Sequence, residues 1–483
     1  MDNRRLTTAD IPFDLLLCIM EQVDRKTLCA CTRVSRLFHE AALPSLYKSV
    51  RVYVCRFHKL DFDSGPFRIL NEHPHLKPFV KNVEICLGLN DYVKNREYLS
   101  PLWETLSELT NITSFSFWPP EDFYYHLPQL LTETIVTALS RCEKLEDITL
   151  LSTISASSVS RLSQLKSVRS VRFGHLLSYE TLNALGTWFR EINGEFRSLS
   201  IMKAHVVSST AITHIAPYIF NLRTLHIGTN HTLTSRDLLA LFTYTPQLRF
   251  LDITYYEFLA VPLPLLNTQN QTPQTPQDPL LPNLECLVIR HSGLSHQPAF
   301  DDLFSWIKLV ITSSPLTSFS IFSDDGRECE FSDRFLATLL TKPMLAILNL
   351  PSMPLRRREE MGRLFEAFWR LRVVSVLVAD VEVFDFYKSV LPGQVDLGSI
   401  TTIYLRAKRV DVPVSFDALA GRVKEAMGAL RPGRGSGYVH LREQEKATGQ
   451  KLLFALWTAG PMTDRAGLNL LKDEYPGMYT PFN

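Results

Sequence analysis

One arrangement of apolar and polar positions recurs along the chain: an apolar residue, two others, an apolar residue, one other, and a third apolar residue. It is found at Tyr47-Val50-Val52, Val80-Val83-Ile85, Ile112-Phe115-Phe117, Leu145-Ile148-Leu150 and Val168-Val171-Phe173. It continues at Phe196-Leu199-Ile201, Leu222-Leu225-Ile227, Leu248-Leu251-Ile253 and Leu284-Leu287-Ile289. The last four are Leu316-Phe319-Ile321, Leu345-Leu348-Leu350, Leu371-Val374-Val376 and Ile400-Ile403-Leu405. These thirteen copies start 23 to 36 residues apart, about 29 on average. Apolar residues two apart share one face of a strand, so each copy predicts a short strand buried on one side. Helix-period segments lie between the copies: Leu130 to Leu139, Leu182 to Ile192, Leu238 to Phe242, Leu303 to Ile311, Phe335 to Leu340 and Met361 to Trp369. Ser178, Thr234, Asp301 and Ser332 stand where such helices would begin. Strand, turn, helix and turn in succession predict an α/β solenoid, with parallel strands inside and helices outside, in which neighbouring units bury one another's apolar faces.

The repeat resembles leucine-rich repeats of the irregular kind, whose units run to ~20–29 residues. A stricter repeat places Asn three residues after the last apolar position. Asn230 does so, but Gly88, Pro120, Tyr256 and Met353 occupy the corresponding places elsewhere, so no asparagine ladder is expected. The longest interval contains residues 262–283, rich in Pro and Gln, which read as a surface loop inserted into one repeat.

The first fifty residues follow another pattern. Asp10 and Pro12 predict a helix start. At 100° per residue, Leu15, Ile19, Val23, Leu16 and Met20 span an arc of about 140°, and Phe13 and Leu17 widen it to roughly 200°. One core-facing stripe needs about half of that. The helix therefore requires two apolar neighbours, its own bundle and something else, or it is buried beneath the solenoid. Asp24 reads as a second cap and Ser35 as a third, around Leu28, Cys31, Val34 and Phe38.

These residues resemble an F-box. Ile11-Pro12, Asp14, Leu15-Leu16 and Ile19 stand where that family has Leu-Pro, an acid, Leu-Leu and Ile. Leu28, Val34-Ser35-Arg36, Phe38 and Leu46-Tyr47 match its later positions, with Ile11 for Leu and Phe38 for Trp as departures. The resemblance implies membership of the F-box/leucine-rich-repeat class, the substrate receptors of SCF-type (Skp–cullin–F-box) ubiquitin ligases. It implies that Pro12, Phe13, Leu15, Leu16, Leu17, Ile19, Leu28, Val34 and Phe38 bind a Skp-type linker, and through it cullin and RING subunits. A protein substrate would be captured by the repeats. The expected division is a helical domain at 1–47, a solenoid at 48–406 and a C-terminal cap or tail at 407–483, where Val414 to Leu430 reads as a helix and Leu452 to Trp457 as an apolar segment.

On the polar side of the strands, Arg172, His226, Phe250, Asp252, Arg290 and Phe322 lie mid-array, and Tyr404 and Arg406 at its far end. Arg and aromatic residues are enriched in binding hot spots, which makes these the candidate substrate contacts. Composition narrows the alternatives. Fifty-one basic against fifty acidic residues argue against a general nucleic-acid surface. No apolar run approaches the ~20 residues of a membrane span, and Leu15 to Met20 is too short for a signal core. The expectation is a soluble protein of the cytoplasm, the nucleus or both. The eight cysteines have no C-x-x-C spacing and read as reduced core residues. Phosphate-loop, zincin and nucleophile-elbow signatures are absent. Gly433 to Gly437, His73-Pro74-His75, Arg356 to Glu360, and Asp324-Asp325 with Glu328 and Glu330 read as loops or solvated faces. The reading is therefore a non-catalytic adaptor without cofactor or metal. The rival is a repeat scaffold whose N-terminal helices only cap the array.

Overall fold

The computed structural model describes residues 11–54, 65–87, 96–119, 129–176, 178–192, 195–204, 207–208, 210, 214–230, 232–256, 280–292, 297–323, 333–355, 371, 373–378, 402–408, 438–445 and 451–458. By packing, the chain divides into two units, residues 1–233 and 234–483.

The first unit opens with three helices, α1 (Phe13–Glu21), α2 (Arg25–Cys31) and α3 (Arg36–Tyr47). Helix α3 leads into β1 (Ser49–Val54), followed by α4 (Pro66–Glu72), a 3-10 turn at Pro74–Phe79 and β2 (Asn82–Leu87). Next come α5 (Arg96–Glu108), β3 (Ser114–Trp118), α6 (Gln129–Leu139), β4 (Asp147–Ile154), α7 (Ala156–Leu162) and β5 (Ser170–Leu176). The unit ends with α8 (Tyr179–Ile192), β6 (Ser198–Lys203) and β7 (Thr224–Thr229). Each strand pairs in parallel with the next, and the register runs through Ser49, Asn82, Ser114, Asp147, Ser170, Ser198 and Thr224.

The recurring pattern explains this register. In this unit, from Val80 onward, the first, fourth and sixth positions of the copies point into the core: Val80, Val83 and Ile85 are buried, as are Leu145, Ile148 and Leu150. The second position works through its backbone. The carbonyl of Lys48 accepts from the amides of Lys81 and Asn82, each at 2.9 Å. The carbonyls of Lys81, Thr113, Glu146, Arg169 and Arg197 each bind two successive amides of the following repeat in the same way. Its side chain takes no part in this ladder. Helices α5 to α8 pack side by side, joined by buried aromatics such as Trp188, whose indole N–H donates to the Leu165 carbonyl at 3.3 Å.

Strand β4 carries a bulge. Its register with β5 shifts between Leu150 and Thr153, so that Leu151 and Ser152 face Gly174 alone. A Cβ on Gly174 would lie 2.6 Å from the Leu151 carbonyl carbon, so the bulge requires glycine there. The one motif asparagine behaves as a repeat asparagine should. Asn230 Nδ2 donates to the Ala204 and Val207 carbonyls at 2.6 and 3.0 Å, and Oδ1 accepts from the amides of Thr232 and Leu233 at 2.7 and 2.8 Å.

The second unit repeats the scheme with α9 (Ser235–Phe242), β8 (Phe250–Tyr256), β9 (Cys286–Ser292), α10 (Gln297–Ile311), β10 (Ser318–Ser323) and α11 (Asp333–Leu340). It continues with β11 (Ile347–Leu355), β12 (Val373–Val378), β13 (Thr402–Lys408), β14 (Tyr438–Glu445) and β15 (Lys451–Thr458). All thirteen copies of the pattern are strands, and β8 to β13 pair in parallel. The expected cap at Thr234 is a full capping box with Asp237. Helix α10 starts at Gln297, so Asp301 lies inside it and does not begin it.

The apolar segment Leu452 to Trp457 is strand β15, which pairs antiparallel with β13 on one side and with β14 on the other. Ser332, residues 262–279, Met361 to Trp369, Val414 to Leu430, Arg356 to Glu360, Gly433 to Gly437 and the 324–330 acidic loop lie outside the described residues. Among the described residues, no helix is long and apolar enough to cross a membrane, and no three His, Cys, Asp or Glu side chains are grouped to hold a metal. Cys142 fits the expectation of a buried thiol, and burial pushes it up to about 11. Cys18 and Cys29 depart from it, because their helix faces point outward and both are exposed.

Candidate functional site

The N-terminal helices are defined by their caps. Pro12 caps α1 through its carbonyl, which accepts from the Leu16 amide at 3.0 Å. The expected start at Asp10 lies outside the described residues. Asp24 caps α2, accepting from the amides of Lys26 and Thr27 at 2.9 and 3.1 Å and from the Thr27 hydroxyl at 2.7 Å. Ser35 caps α3, its hydroxyl accepting from the Phe38 amide at 3.3 Å.

The Asp24 carboxyl is held below its ordinary 3.8, first by the Thr27 hydroxyl and then by the Thr27 amide. A carboxylate stabilised in the folded state adds stability above its unfolded pKa and loses it as pH falls through the folded value. Asp24→Ala is therefore expected to raise amide exchange across Arg25–Cys31 at neutral pH, and the difference from wild type should narrow in acid, below the folded pKa. Asp24→Asn, which keeps the cap without the charge, should remove the acid sensitivity alone.

The three helices close on a small core of Leu16, Met20, Leu28, Ala41 and Ala42, with Ile11, Leu17, Val23, Cys31, Leu37, Phe38 and Leu46 packed around it. The two alanines let α3 approach α1 closely, and α3 also packs against the 3-10 turn at Pro74–Phe79, seating the helices on the first repeat.

The apolar arc of α1 is thereby split. Leu16 and Met20 face inward, each 1% exposed, while Phe13, Leu15 and Ile19 remain 39%, 53% and 43% exposed. Val34, in the turn between α2 and α3, is 62% exposed, and Pro12 is exposed beside them. Two of the nine expected linker contacts are corrected by this geometry. Leu16 and Leu28 are core residues of the domain, because their helix positions face α3. Leu17 and Phe38 are half-buried against that core and offer only an edge. What remains outward is a set of bulky apolar groups that no described residue covers. Side chains of this kind are what a protein partner buries.

The expected substrate contacts fall into separate groups. In the first unit, Arg172 of β5 and His226 of β7 share a row with Ser200 of β6 between them. In the second unit, Arg290 pairs with Asp252 at 3.4 Å and its guanidinium carbon lies 5.4 Å from the centre of the Phe322 ring. Asp252 and Phe322 are buried, a correction to their expected role as surface contacts; both are engaged by Arg290 instead. Phe250 is half-buried at the start of β8. Tyr404 and Arg406 stand opposite Ser375 and Leu377 in the β12–β13 register, and their side chains lie outside the described residues.

The structure adds one row that the polar-side reading skipped. Arg169, Arg197 and Arg223 occupy the second position at the starts of β5, β6 and β7, and all three are exposed. The signal was available in the sequence, as Arg at one template position in four consecutive repeats; the fourth, Arg249, pairs with Glu285 at 3.4 Å.

Residues 8–52 match the family model described as F-box-like, so the chain carries an F-box-like domain there. Among solved structures, similarity is found to the Rad7 and Elc1 complex in yeast. Identity there is 12%, with 81% of this chain and 87% of that chain covered, at a TM-score of 0.34. A protein from Bacteroides fragilis is similar at 14% identity, covering 59% of this chain and 68% of that one, at a TM-score of 0.29. No curated protein matches the sequence at a significant level.

Proposed function

We propose, from the premise of an F-box-like domain, that this protein is the substrate-recognition subunit of an SCF-type ubiquitin ligase. Its N-terminal helices bind a Skp-type linker, which connects it to cullin and RING subunits, and its repeats capture a protein substrate. It has no chemistry of its own and acts by bringing two proteins together. The observation that carries this reading is the outward apolar set Phe13, Leu15, Ile19 and Val34, which the domain's own core leaves uncovered. A bundle of ~40 residues is marginal alone, and burial against a partner supplies apolar contact that it lacks.

The test is calorimetric titration of the full chain with a Skp-type linker. Wild type is expected to bind at one-to-one stoichiometry. Leu15→Lys combined with Ile19→Lys is expected to weaken binding at least a hundredfold, the loss of two central anchors at ~1.5 kcal/mol or more each. Because both side chains are about half exposed, thermal unfolding should be unchanged. Binding that persists in the double variant, or is absent in wild type, would refute the assignment. The scaffold reading has one observation in its favour, the packing of α3 on the first repeat. It predicts a chain that ignores the linker.

A further inference from the structure

The chain as a whole is almost neutral, with 51 basic and 50 acidic residues. Strands β5 (SVRFGHL), β6 (SLSIMK) and β7 (TLHIGT) nevertheless contain no acidic residue. They carry Arg172, His175, Lys203 and His226, and the starting row adds Arg169, Arg197 and Arg223. Strand spacing of ~4.8 Å places that row within ~10 Å. Arg169 lies beside Asp147, whose carboxyl feels its charge. Arg172, Arg197 and Arg223 make no ion pair among the described residues; Glu195, two residues before Arg197, is exposed and is not paired with it.

A second, independent observation lies on the polar side of the same strands, beside Arg172. Ser200 is 4% exposed, and its hydroxyl has no hydrogen-bond partner among the described residues. It stands in register between Arg172 and His226. A buried hydroxyl without a partner is rare in folded proteins and marks a place where a further group completes the bonding. Burial holds Lys203 and His175 below their ordinary values.

We propose that strands β5–β7 bind an anionic segment of a protein, with Arg172 on their polar side and Arg197 and Arg223 at the strand starts gripping its phosphate or carboxylate groups and Ser200 donating to it beside Arg172. This rests on reading the repeats as the capturing half of an adaptor, and it names the chemistry of what they capture. Guanidinium forks match phosphate and carboxylate in paired hydrogen bonds. Alternate side chains of an extended peptide are ~6.6 Å apart, a spacing the arginines can follow. The aromatic side chain of these strands, Phe173, is buried, so the face offers no ring for stacking bases, and nucleic acid is disfavoured.

The test uses the full chain and three fluorescein-labelled peptides read by anisotropy: alternating phosphoserine and alanine, the same with glutamate, and the same with serine. One or both anionic peptides are expected to bind while the serine peptide does not, and the stronger of the two identifies the source of the charge. Arg172→Glu with Arg197→Glu and Arg223→Glu should weaken binding more than tenfold, with an unchanged unfolding midpoint and intact linker binding. Should the triple variant fold poorly, Arg197→Gln with Arg223→Gln should still weaken it at least threefold. Ser200→Ala should weaken it two- to fivefold. Equal binding of the serine peptide, no binding of any peptide, variants that bind like wild type, or an oligouridylate that binds more tightly than the phosphopeptide would overturn the inference. Linker binding is measured on the same samples, so a chain that binds linker but no anionic peptide refutes this inference and leaves the adaptor reading standing.

Discussion

Replacing Gly228 by alanine is expected to destabilise the first unit by ~3 kcal/mol or more, measured as a fall in the urea midpoint at constant slope. Gly228 falls with Met202 between the paired positions Ile201–Ile227 and Lys203–Thr229 of β6 and β7, and a Cβ built there would lie 1.9 Å from the Met202 carbonyl oxygen and 2.7 Å from its carbon. Overpacking a side chain costs ~1–3 kcal/mol because neighbours can rotate away. Here the obstacle is backbone, flanked by the paired residues Ile201 and Lys203, so relief requires strand separation. Gly186 supplies the contrast. It lies within helix α8, and its added Cβ would meet only side-chain atoms of His214 and Ile215, both at 3.3 Å. Alanine there gains ~1 kcal/mol of helix propensity against a small repacking cost. Its net effect should stay within ~1 kcal/mol. Equal effects at the two glycines would contradict the close approach of β6 and β7.

Leu16→Lys is expected to unfold the three N-terminal helices, whereas Ile19→Lys three residues later leaves them folded. Leu16 is 1% exposed among Met20, Leu28, Ala41 and Ala42, none of which can pair with a cation. Removing a buried leucine costs ~2–5 kcal/mol, and burying an unpaired charge in its place adds several more. So small a core cannot absorb that. Hydrogen exchange should show protection lost across Phe13–Glu21, Arg25–Cys31 and Arg36–Tyr47 while strands β2 to β7 keep theirs. Linker binding would then be lost through unfolding rather than through a missing contact. The pair of variants separates a structural leucine from a docking isoleucine within one helix.

This distinction marks where the sequence could be read and where it could not. The strands were legible because the two-residue period ties each to a buried face, and a repeat multiplies the signal thirteenfold. The width of the apolar arc on α1 was legible for the same reason: it showed that two surfaces were needed. Which half would face inward was not, because Leu15 and Leu16 are chemically identical and only the approach of α3 through Ala41 and Ala42 separates them. Asp301 was misread because Asp inside a helix and Asp at a cap look alike without the preceding turn. Strand β14 was passed over because YVHLREQE alternates weakly and carries no copy of the repeating pattern. The arginine row escaped for a different reason. Sequence reading followed the alternating positions within each strand, and the row stands one residue earlier, where the backbone carbonyls bind the next repeat.

Antiparallel β15 on β13 has an evolutionary consequence. A parallel array can in principle grow by duplicating one strand–helix module, since each new copy presents the edge that the next requires. The reversal at β15 breaks that rule of succession: the edge of β13 is taken by a strand of opposite polarity, itself covered on its far side by β14, so a new module cannot add to β13 in parallel. Lineages that lengthen or shorten this protein by whole modules are therefore expected to do so between β1 and β13, with the terminal hairpin carried along unchanged at the tail of the array.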